Sequence, residues 1–269
     1  MNSHKFSLNL TTIHTFAGTH VNGFNGDGPA PATNLHLHYP NGGWLRDDGT
    51  FYVLDTYNGK VRRIDTNGLM TTLFTTTAPI NEGRALWVKR DESAVYFGTG
   101  TRLRRWTPSN GVVVLTNRFL DLGNILGDET TGHLYITDRD AYRVYRLSPE
   151  GGLTVLAGNG TRTGGGEGFP ARQTGLDRPR TLCFLPNGGY FIGEHDGSRV
   201  WYVDPAAIIH LWLDGRSGNY HSGDGEWFHT PGYKVSKVRS VTLDYQGNLI
   251  IVENDYGYVR RINFHRLTP

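Results

Sequence analysis

Three arginines, Arg84, Arg180 and Arg239, stand at one position of a pattern that recurs along the 269-residue chain, and Asn41 and Asn124 hold that position in the other two copies. A guanidinium group offers a planar fork of donors that suits carboxylate, sulfate or phosphate, so converging arginines point to an anionic or polyhydroxylated ligand. A second recurring position carries Asp55, Thr99, Asp138, Glu194 and Glu253. In a hairpin of regular register the two positions face each other, pairing Arg180 with Glu194, Arg239 with Glu253 and Asn124 with Asp138. Such acids either neutralise the arginines and tie down the turn backbone, or leave part of the positive charge to a ligand; both readings stand. Arg84 faces Thr99, so it is expected to be the arginine most open to a ligand. His195, beside Glu194, is the candidate general acid or base, against the plainer reading of a solvated turn histidine.

The elements that must position these residues are short strands. One unit reads Tyr39-Pro40-Asn41-Gly42-Gly43-Trp44-Leu45, a turn at Asp47-Asp48-Gly49, Phe51 to Asp55, a turn at Tyr57-Asn58-Gly59, Val61 to Asp65, a turn at Asn67-Gly68, and Leu69 to Phe74. Four strands separated by turn residues make one supersecondary unit. The order recurs through Leu86-Trp87, Leu134 to Asp138, Tyr190 to Glu194 and Leu249 to Glu253. Five copies predict an all-β, five-bladed β-propeller with four-stranded antiparallel blades at about 35–77, 81–117, 120–158, 177–213 and 238–266. The last copy stops after three strands, and Thr12 to Gly18 matches the outer strand Leu153 to Gly158. The N-terminal strand, 11–18, is therefore expected to close the last blade and hide its edge, giving one domain over 1–269.

Three long linkers align with one another, placing Asp27, Glu167 and Asp224 each between two glycines. These loops are expected to wall one side of the axial mouth. Their acids are candidates for a metal, calcium first because Asn22, Asn25 and Asp27 resemble part of a calcium loop; self-capping of the loop is the alternative. The third linker adds Tyr220, His221, Trp227, Phe228 and His229, aromatic groups able to stack on a sugar or plug the channel.

The units resemble NHL repeats: a proline, an apolar strand, Gly-x-apolar-Tyr-apolar-x-Asp, then Asn-x-Arg-Ile. The resemblance covers nearly the whole chain, with a degenerate second copy in which Gly98-Thr99 replaces the acid. It implies a binding scaffold for a small anionic ligand, a glycan or a protein. The alternative it implies is an enzyme at the same mouth, of the lactonase, hydrolase or lyase type, with or without a divalent metal. A secreted or periplasmic location also follows from the resemblance, and the chain is expected to be a monomer.

A formal net charge of +2 argues against a polybasic nucleic-acid binder. The single cysteine, Cys183, lies in an apolar run and supports neither a disulfide framework nor a cysteine metal cluster. No apolar stretch is long enough to span a membrane.

Overall fold

The computed structural model describes residues 15–77, 80, 83–216, 218, 222–226, 231–244, 246–253 and 258–263. The chain is a five-bladed β-propeller with essentially no helix. It forms two compact units, Met1–Asn41 with Leu45–Asn81 and Gly42–Trp44 with Glu82–Pro269.

The first sheet takes Ala30–Pro31 (β1), Pro40–Leu45 (β2), Phe51–Asp55 (β3), Lys60–Ile64 (β4) and Leu69–Thr75 (β5), ordered β1-β5-β4-β3-β2. Aspartate-glycine turns join its strands. Asp65 accepts hydrogen bonds from the amides of Asn67 and Leu69, and Gly68 takes the left-handed conformation at φ 78° that closes the turn. Ile64, Met70, Ala32 and Leu35 form the core of this unit, so the linker before the blade is packed against the blade's outer strands.

The second unit carries four sheets. Ala85–Val88 (β6), Val95–Thr99 (β7), Arg102–Thr107 (β8) and Gly111–Thr116 (β9) form one blade. Leu122–Gly127 (β10), Leu134–Asp138 (β11), Arg143–Leu147 (β12) and Leu153–Ala157 (β13) form the next. Pro179–Phe184 (β14), Tyr190–Glu194 (β15), Val200–Val203 (β16) and Ile209–Leu213 (β17) form the third. Val238–Leu243 (β18), Leu249–Glu253 (β19) and Tyr258–Ile262 (β20) are the described strands of the last. Of the segment 11–18 expected to close that blade, 11–14 lie outside the described residues and 15–18 form no strand.

Apolar side chains from facing blades fill the spaces between them. Leu122, Ile125, Ile136 and Trp87 bind the first two blades of this unit, Val144, Leu182, Ile192 and Trp201 the next pair, and Phe191, Val238, Val241 and Ile251 the last. Trp87 is buried against Gly127, where an added Cβ would meet three ring carbons at 2.4 Å. Gly127→Ala is therefore expected to destabilise the protein by about 1–3 kcal/mol through overpacking, a loss that urea unfolding would register.

Three of the inner hairpins are not regular. Leu122 pairs with Asp138 and Asn124 with Thr137, Pro179 with Glu194 and Thr181 with Gly193, Val238 with Glu253 and Ser240 with Val252. Gly123, Arg180 and Arg239 are each the extra residue of a β-bulge and have no opposite number on the second strand.

Candidate functional site

The bulge corrects the expected charge pairing. Every blade acid instead accepts from the backbone just ahead of its inner strand. Asp55 takes the His38 amide at 2.7 Å, Asp138 those of Leu120 and Asp121 at 2.9 Å, Glu194 that of Asp177 at 2.8 Å, and Glu253 that of Ser236 at 2.7 Å. Their cations lie on the third strand or its approach: Arg62 is 3.5 Å from Asp55, Arg199 is 3.5 Å from Glu194 and Arg260 is 3.7 Å from Glu253. Glu194 and Glu253 are thus buried structural acids, not partners of Arg180 and Arg239 or groups that face a ligand.

Inner strands β6, β10, β14 and β18 stand side by side in chain order, which brings Arg84, just ahead of β6, close to the bulge positions of the others. Arg84 meets Oδ1 of Asp121 at 3.0 Å, and Arg139 bonds the other oxygen of the same carboxylate. Arg84 is therefore not the arginine lacking a counter-charge, as its alignment with Thr99 suggests. That description belongs to Arg180. Among the described residues no acceptor lies within hydrogen-bonding or ion-pair reach of its guanidinium. Burial and the neighbouring guanidinium groups of Arg239, Arg139 and Arg84 pull Arg180 down to about 9, against which Asp121 is a small opposing influence. At neutral pH it stays cationic.

Gly123 makes this crowding sterically feasible, since a Cβ there would stand 2.9 Å from the Arg180 carbonyl oxygen and 3.2 Å from Cγ of Arg139. Thr137 donates to that same carbonyl at 3.1 Å and fixes the β14 backbone. Asn124 lies one residue beyond the arginine slot, which Gly123 holds, and is equivalent to Thr181 and Ser240, so it is not part of the expected set. Asn41 stands exposed on β2 in the first unit.

His195 joins the cluster from the residue after Glu194. Its Nδ1 bonds Oδ1 of Asp196, whose Oδ2 lies 3.4 Å from Arg178; Arg178 also reaches Asp140 at 3.1 Å. Nε2 of His195 is buried and has no hydrogen-bond partner among the described residues. Burial, followed by the Asp196 bond acting in the opposite sense and then Arg239 and Arg180, leaves the imidazole below its ordinary pKa.

Asp121, Arg139, Arg178 and Asp196 complete the constellation and escaped the sequence reading. Repeat alignment carries the signal for two of them. Arg139 follows Asp138 as His195 follows Glu194, and Asp121 precedes Gly123 by the interval at which Arg178 precedes Arg180.

Each linker acid has partners of its own. Asp27 pairs with Lys60 at 3.0 Å, Glu167 with His210 at 2.9 Å and the Leu211 amide at 2.6 Å, and Asp224 with Arg260 at 2.7 Å. Their linkers add hydrogen bonds to the outer part of a blade: β1 pairs with β5, and Pro170 bridges Ile208. An open strand edge offers amides and carbonyls that must be satisfied, which explains why the first two of these segments dock there. Asp27, Glu167 and Asp224 are each held by a different cation or imidazole, which fits poorly with a shared calcium donor set. Among the described residues no group of three His, Cys, Asp or Glu side chains could hold a metal ion. Tyr220, His221, Trp227, Phe228 and His229 lie outside the described residues.

No protein-family model and no curated protein matches the sequence. Solved structures do. An auxiliary nutrient binding protein from Bacteroides ovatus superposes with a TM-score of 0.62 at 14% identity, over 84% of this chain and 59% of that one. A gluconolactonase from Xanthomonas campestris gives 0.56 at 15% identity, over 83% and 72%. Virginiamycin B lyase from Staphylococcus aureus gives 0.53 at 15% identity, over 86% and 71%. The chain shares their propeller fold. At these identities the likeness concerns the fold alone, and the chain spans less than two thirds of the nutrient-binding protein. No helix among the described residues is long and apolar enough to cross a membrane.

Proposed function

We propose that this propeller binds a small anionic ligand at the cluster of Arg84, Arg139, Arg180 and Arg239. One observation carries the reading: Arg180 is a cation among three other guanidinium groups, with no acceptor of its own among the described residues. Like charges held together in a partly desolvated site repel, and an anion relieves that repulsion while gaining charge-assisted hydrogen bonds. Nutrient-binding proteins of this fold offer a parallel for ligand binding. The His195–Asp196 pair supports a second reading, a hydrolase or lyase acting on the same anion, because an aspartate-held imidazole can move a proton.

A thermal-shift screen of inorganic phosphate, sulfate, citrate and glucuronate at low ionic strength tests the binding reading. At least one anion is expected to raise the melting temperature of the parent and to leave Arg180→Gln unmoved. Equal shifts in parent and variant, or none in either, would reject it.

A further inference from the structure

His195 adds a requirement that the arginines do not. Its Nδ1 faces a carboxylate oxygen of Asp196, which only accepts, so Nδ1 carries the ring proton. In the neutral imidazole Nε2 is then a bare lone pair. That atom is buried in a residue only 7% exposed, and among the described residues nothing donates to it. The charged groups around it are Asp196 on its own turn, Arg180 on β14 and Arg239 on β18. Neither guanidinium donates to Nε2, although both lie close enough to depress its protonation. An unsatisfied buried acceptor beside a cationic anion site needs a donor, and a plain carboxylate or phosphate oxygen placed there would set lone pair against lone pair.

We infer that the ligand is a hydroxy acid, its anionic group on Arg180 and a neighbouring hydroxyl donating its hydrogen to Nε2 of His195. This rests on the anion-binding reading and narrows it to α-hydroxy and sugar acids. His195 is then the residue that sets specificity, while the arginines supply most of the attraction.

The experiment compares chain-matched acids at pH 8 by calorimetric titration: lactate against propionate, and threonate against butyrate. One neutral hydrogen bond that satisfies a buried acceptor corresponds to about tenfold in affinity. The hydroxy acids are expected to bind about tenfold more tightly in the parent, and His195→Phe is expected to abolish the difference while still binding both members of each pair. Nitrogen-15 spectra of the parent imidazole keep the proposal testable if that variant does not fold. A bare Nε2 whose resonance moves with lactate and not with propionate supports the proposal, and a protonated Nε2 at pH 8 overturns it. Equal affinities of the paired acids in the parent overturn the hydroxy-acid inference and leave anion binding standing. Failure of all four acids to bind overturns both.

Discussion

Replacing Arg62 by alanine is expected to destabilise the protein by about 3–5 kcal/mol, because it strands a buried carboxylate. Arg62 is 0% exposed on β4, with Nη1 3.5 Å from Asp55 and Nη2 donating to the Gly26 carbonyl at 2.9 Å. Its guanidinium also lies 5.8 Å from the ring centroid of Phe24. Asp55 is equally buried and accepts from the His38 amide and from Asn58 at 2.9 Å. Burial pushes the Asp55 carboxyl up and the Arg62 guanidinium down, with Asp55–Arg62 attraction opposing both shifts. Removing the cation leaves the aspartate to face its desolvation alone and frees the 24–27 segment from β4. Adding Asp55→Asn to Arg62→Ala is expected to recover part of the loss, since asparagine keeps an acceptor for His38 without the charge. Urea unfolding of both variants measures this, and a loss below about 1 kcal/mol for Arg62→Ala would contradict it.

The second large effect concerns pH. Glu194 is fully buried, and burial raises its carboxyl from 4.5 to about 7 against the opposing pull of Arg199 and the Asp177 amide. A carboxyl raised in the folded state contributes stability that is fully present below pH 4.5, where folded and unfolded chains both hold the proton. That contribution is lost progressively as pH rises towards 7 and is constant above it. At 1.36 kcal/mol per pKa unit the change is about 3 kcal/mol. Glu194→Gln retains an acceptor for the Asp177 amide and cannot titrate, and Arg199 keeps Asp214 at 3.6 Å. The variant is therefore expected to gain on the parent by about 3 kcal/mol between pH 4.5 and 7, with no further gain to pH 8.5. Unfolding curves that stay parallel across this window would show that Glu194 is ionised throughout.

Much of the architecture was legible because turn chemistry and apolar runs repeat in phase. The sequence alignment of Asp55, Asp138, Glu194 and Glu253 matches one structural role, a carboxylate that ties the backbone ahead of its inner strand. The bulges at Gly123, Arg180 and Arg239 were not legible, since an extra residue leaves no mark in an apolar alternation. That extra residue explains why Arg180 does not meet Glu194, whereas Asn124 misses the arginine slot because Gly123 holds it. Asp121 neutralises Arg84 from the next blade, a contact between segments 37 residues apart that no repeat pattern encodes. The linker acids read as candidates for the mouth because their Gly-acid-Gly setting is shared by ligand loops and by edge-capping loops alike. Only the open blade edge decides between the two.

The most direct measurement is calorimetric titration of the parent and Arg180→Ala with inorganic phosphate and with glucuronate at two salt concentrations. The parent is expected to bind at least one of them, more weakly at the higher salt, as screened charge requires. Arg180→Ala is expected to lose at least tenfold in affinity and, with the repulsion among the four guanidinium groups relieved, to melt no lower than the parent in the absence of ligand. An Arg180→Ala protein that binds as the parent does, with the same salt dependence, would contradict the assignment of this cluster as the anion site.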